Sequence, residues 1–256
     1  MNRFFKLAII LLLCLIPVQA FAWIQMYTCD ADVCDGYPRK RIFWPSPDVK
    51  FYLNQEGSYQ IPHYDVITET QKSIDEWNKP EISSLRPSYE GFTDQDTVGY
   101  DRTSKDNKNI IIFRDDTWRE SSTIIALTTV NRNNANGHIV DSDIEINTAT
   151  YHFGIVEKDG DGVMDYQNAL THELGHAFGL EHSNVPGATM SPFSNPGVTS
   201  LRDLGDDELE AIATIYPPQK DDSCSARPLN SSTSGAIFWI GMAVCALAGV
   251  SRRKRS

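Results

Sequence analysis

Cations are scarce in this chain. Of 256 residues, 23 are lysine or arginine and 34 are aspartate or glutamate. Two of the cations (Arg3, Lys6) fall within residues 1–22 and four within residues 251–256, and neither end holds an acid. The body therefore carries 17 cations against 34 anions, a net of −17. Such a surface repels a phosphate backbone, which excludes nucleic acid as a partner. Internal repeats are absent. Cysteine is sparse at five residues, and Cys14 and Cys245 lie in apolar runs at the two ends.

Those ends are what the charge-poor stretches mark. Residues 1–22 begin with Arg3 and Lys6, run apolar from Leu7 to Val18 and close on Ala20-Phe21-Ala22, the three-part pattern of a secretory signal peptide. Leu13 stands before Cys14 where a lipoprotein signal needs a small residue. At the other end, residues 219–234 are a polar, Ser-rich linker. Gly235 to Val250 holds no charge, and residues 251–256 are a basic cluster. An apolar span near the lower limit for crossing a bilayer, followed by cations, predicts a membrane stop with its basic end in the cytoplasm. Export places Cys29 and Cys34 outside the reducing compartment, and their short spacing predicts a small disulfide loop rather than a metal pair.

The body, residues 23–218, reads as one α+β domain. Val49, Phe51 and Leu53 alternate with polar neighbours, the pattern of a half-buried strand. Ile67, Ile74 and Trp77 recur at helical spacing until Pro80. Ile110 to Phe113 predicts a central strand, followed by β-rich runs at 124–130 and 139–147 with an Asn136-Gly137 turn between them. A helix is expected from about Tyr166 to Phe178, and another opens at Asp206-Asp207 and ends at Pro217-Pro218.

The chemistry concentrates in His172-Glu-Leu-Gly-His-Ala-Phe-Gly-Leu-Glu-His182. Residues four apart share one helix face, so His172 and His176 can offer imidazoles to one ion. Gly179 can take a left-handed conformation and end the helix, which lets His182 approach from another direction as the third ligand. Three neutral ligands leave a fourth position for water. Zinc would lower the pKa of that water and polarise a carbonyl, and Glu173 would take the proton and pass it to the leaving amine. A purely structural zinc site has no need of such a base, which weighs against a binding module. A zincin acting on another amide, such as one in a cell wall, stays open beside a peptidase.

This segment resembles the metzincin metallopeptidases, whose pattern is H-E-x-x-H-x-x-G-x-x-H. Met190 in Ala188-Thr-Met190-Ser-Pro192 stands where that family keeps a methionine turn beneath the zinc. His182-Ser183 and Met190-x-Pro192 look most like matrixins, the family of the extracellular-matrix type of peptidase. Ala126 to Val130 resembles the edge strand that pairs with an extended substrate. The resemblance covers roughly residues 43–217 and implies a zincin-like fold: a mixed twisted sheet, an active-site helix, the methionine turn and a C-terminal helix. It also implies one catalytic zinc and an endopeptidase acting on proteins or peptides. Ser194 stands where many matrixins carry a Tyr beside the specificity pocket, and His138 and His152 lack the companions of the family's structural zinc. Cys34-Asp35-Gly36 offers an inhibitory thiolate as an alternative to the disulfide. Asp159, Asp161 and Asp165 resemble a D-x-D-G calcium loop, the competing reading being a solvated turn before the catalytic helix. The tail resembles bacterial sorting signals that join a short motif, an apolar helix and a basic cluster. On that reading Ser223-Cys224 is the motif, Cys224 the site met by a sorting protease or lipid, and the protein bacterial and surface-held. Simple membrane anchoring is the alternative.

Overall fold

The computed structural model describes residues 23–79, 81–158 and 160–218. Its centre is a five-stranded sheet in the order β4-β3-β5-β7-β6, built from β3 (Asp48–Asn54), β4 (Arg86–Thr93), β5 (Asn109–Phe113), β6 (Ala126–Arg132) and β7 (Ile139–Ile146). Every pairing is parallel except β6 against β7, so β6 is an antiparallel edge strand. Short pairs β1 (Val33–Cys34) with β2 (Tyr37–Pro38) and β8 (Phe153–Gly154) with β9 (Met164–Asp165) lie outside the sheet. Three helices complete the described residues: α1 (His63–Trp77), α2 (Tyr166–Ala177) and α3 (Asp206–Ile215).

Strand alternation decides which face is buried against the helices. Val49, Phe51 and Leu53 of β3, Ile111 and Phe113 of β5, and Ile144 and Ile146 of β7 share one core with Ile74 and Trp77 of α1 and Leu170 and Leu174 of α2. β4 was not expected, because Arg86-Pro87-Ser-Tyr-Glu-Gly-Phe-Thr93 carries both strand breakers. An edge position tolerates them: the outer side of β4 needs no ladder bonds, and Gly91 takes a positive φ of 102° where the register shifts between Phe51 and Leu53.

The opposite face of β7 holds acids. Asp143 is fully buried, its Oδ2 accepting from Gly99 N at 2.6 Å and its Oδ1 from Ile110 N at 2.9 Å. Burial, with the charges of Asp141 and Glu145, pushes its carboxyl up to about 7 against the pull of those two bonds. The folded chain thus keeps a proton that the unfolded chain releases above about pH 4. Stability from this group is present at low pH and lost as pH rises through the folded value. Melting curves between about pH 5 and 8 are expected to show a fall that Asp143→Asn flattens; equal slopes for the two would refute it.

Gly175 sets how closely α2 approaches its neighbours. A Cβ there would overlap Met190 Sδ and meet Trp77 Cζ2 at 3.1 Å. Alanine improves helix propensity by about 1 kcal/mol, but overpacking costs about 1–3 kcal/mol. Gly175→Ala is therefore expected to lower Tm by a few degrees, as calorimetry would show; a rise in Tm would mean that Met190 yields freely.

Candidate active site

Helix α2 begins at Asp165, whose Oδ1 caps it by accepting from Asn168 N at 2.8 Å. From that start the 3.6-residue period brings His172 and His176 to the same face. The helix ends because Gly179 adopts φ 94°, and a Cβ there would stand 2.7 Å from Ile42 O. The chain that turns away is held on both sides. Met26 N donates to Gly179 O (2.8 Å), Glu181 N to Ile24 O (2.8 Å), and Ser183 N to Met190 O (2.8 Å). His182 is thereby delivered back to the helix.

The three imidazoles converge. His172 Nε2 and His176 Nε2 are 3.1 Å apart, and His176 Nε2 and His182 Nε2 are 3.2 Å apart. Two nitrogens bound tetrahedrally to one zinc at about 2.0–2.1 Å lie about 3.3 Å from each other, so the spacing suits that ion. The outer nitrogens fix the tautomers: His172 Nδ1 donates to Thr189 O and His176 Nδ1 to Leu180 O, both at 2.8 Å. Each Nε2 is left with its lone pair toward the common point. Burial, then the neighbouring His172, push His176 down to about 3, and the same causes lower His182. Ligand histidines must be neutral, and burial favours that form in His176 and His182.

Glu173 is buried at 6 % exposure, next in sequence to the first ligand, and lines the same cleft as His172 and His182. Burial raises its pKa, opposed by the charge of His172 and a hydrogen bond from Thr128. The adjoining cavity, about 180 Å³, has Ile124, Ile125, Ala126 and Leu201 among its walls. Ser194 lies at its edge, its Oγ accepting from Asn168 Nδ2 at 3.2 Å.

Met190 is buried and its Sδ faces Gly175, so the methionine turn packs directly onto the ligand helix. Two acids of α3 hold that turn. Glu208 Oε1 accepts from Met190 N at 2.9 Å, and Asp207 Oδ2 from Ser183 Oγ at 2.6 Å, beside the third histidine. Asp207 Oδ1 also accepts from Trp23 N at 3.1 Å. In the sequence these acids belong only to an acidic helix start, and nothing in their spacing points to the turn.

The remaining candidate residues do other work. Cys29 and Cys34 form a disulfide with Cα atoms 5.8 Å apart, which removes Cys34 as a thiolate for the metal. Asp165 is the helix cap described above. It is buried, and its two oxygens accept from Val156 N, Asn168 N and the Arg202 guanidinium. Asp161 is exposed, and Asp159 lies outside the described residues. His138 packs edge-on against Phe43, and His152 is exposed. Among the described residues the three histidines form the only group of three or more side chains suited to a metal, and no helix is long and apolar enough to cross a membrane. Residues 1–22, the 235–250 span and Cys224 lie outside the described residues.

A family model of the Peptidase_M10 matrixins matches residues 44–217. The chain belongs to the matrixin family. Over 58 residues it is 48% identical to matrix metalloproteinase-16 of Rattus norvegicus, and equally to those of Homo sapiens and Mus musculus. That stretch is 23% of this chain and 10% of the relatives' length, so the chain spans about a tenth of the curated proteins it matches. The α+β architecture and the histidine triad of this matrixin agree with a zinc peptidase family.

Proposed function

We propose that this matrixin is an exported zinc endopeptidase that cleaves proteins or peptides internally, with His172, His176 and His182 as ligands and Glu173 as general base. The observation that carries the reading is the convergence of three imidazole Nε2 atoms beside a buried carboxylate. Zinc, when bound, polarises the scissile carbonyl and acidifies water. The chain's own residues do the rest. The free edge of β6 offers unpaired backbone groups to an extended peptide, which adds as a further strand. The side chain after the scissile bond then enters the cavity walled by Ile124, Ile125 and Leu201. Glu173 accepts the proton of the attacking water and returns it to the leaving amine.

Export, removal of residues 1–22 and membrane retention through 235–250 are part of the proposal, carried by the sequence pattern alone. Unfolded casein incubated with the zinc-loaded protein is expected to yield fragments with new termini inside the chain, and a chelator to stop the reaction. Release of single terminal residues, or undiminished cutting after chelation, would contradict it.

A further inference from the structure

A side chain that touches Glu173 comes from the edge strand β6. Thr128 lies in β6, paired to Ile144 of β7 on one side, and β6 ends the sheet on the other. Its Oγ1 donates to Glu173 Oε2 at 2.6 Å and lies 3.0 Å from Glu173 O. A hydroxyl carries one proton, and the shorter contact, to a carboxylate, is the stronger bond. Alternation explains why this residue reaches the base. Leu127 and Thr129 line the cavity on the other face of the sheet with Glu145, so Thr128 points toward α2.

We infer that Thr128 is a positioning residue. Its backbone lies on the edge where the peptide adds, and its hydroxyl fixes the carboxylate of Glu173. The inference rests on the proposed peptidase reading. Threonine is stiff at χ1, whereas a glutamate has three rotatable bonds, so the strand decides where the carboxylate stands. With Oε2 held by Thr128, Oε1 is left to receive the proton of the attacking water. A peptide that pairs with β6 therefore settles the same residue that aims the base, and substrate alignment and base alignment are set together.

The test uses the full, zinc-loaded chain and a quenched fluorescent peptide copied from a site that the parent cuts in casein. Thr128→Val keeps the shape and loses the hydroxyl. It is expected to lower kcat by about 10–100-fold with KM within about twofold and zinc content unchanged, because misplacement of a catalytic group by about 1 Å costs about that much. Thr128→Ser is expected to recover most of the lost kcat. Adding Thr128→Val to Glu173→Gln should cost almost nothing more, since the two act as a unit. Melting curves accompany each variant, and should Thr128→Val not fold, Thr128→Ala replaces it in the comparison with Thr128→Ser. The role is overturned if a folded hydroxyl-free variant keeps the parent kcat, if only KM changes, or if serine is as impaired as valine or alanine. A zinc-loaded parent that cuts no site in casein overturns the peptidase reading and this role with it.

Discussion

Glu173→Gln is expected to lower kcat for peptide cleavage by about 10²–10⁴-fold while one zinc per chain stays bound. Glutamine keeps the shape and the Thr128 contact but cannot take a proton. The histidines are unaffected, because their Nδ1 atoms are tied to Thr189 O and Leu180 O and not to Glu173. Substrate pairing with β6 involves the backbone, so KM should change little. That combination, a loss in kcat with metal and KM preserved, is the mark of an interaction made in the transition state. If the variant retained more than about a tenth of the parent kcat, another group would have to move the proton.

His182→Ala should remove the metal while leaving the fold in place. The His182 side chain is exposed, and the turn that carries it is fastened by backbone bonds through Glu181 and Ser183, which alanine keeps. The two histidines left on one helix face make a weak, open site. Loss of a group that merely orients a ligand costs about 10–100-fold in metal affinity, and loss of a ligand should cost more. Competition with a chromophoric chelator is expected to show zinc bound more than about 100-fold weaker, with an unchanged circular dichroism spectrum. Zinc bound as tightly as in the parent would place the ion elsewhere.

Most of the site was legible because it lies in one short stretch whose spacing is set by the helical period. His172, Glu173, His176, Gly179 and His182 each had a geometric reason that needed no partner from elsewhere. Strands were legible where a single face is buried, as in β3, or where both are, as in β5. Strand β4 was not, because Pro87 and Gly91 deny it that pattern and only its edge position makes them harmless. Long-range partners were hidden for a related reason. Thr128 meets Glu173 across 45 residues, and Met190 meets Glu208 through a backbone N–H that any residue would offer. The partner of Asp165 was hidden in the same way. Its place in an acidic run fits a cation loop or a solvated turn, and nothing local points to Arg202, distant in sequence, which pairs with its carboxylate.

The most direct test of the account pairs zinc content with casein cleavage in the full chain and in its Glu173→Ala variant. One zinc in both is expected, with internal cleavage by the parent alone, lost on chelation and recovered on adding zinc. Equal cleavage by both forms would contradict it, as would a parent that holds its zinc and leaves every peptide bond intact.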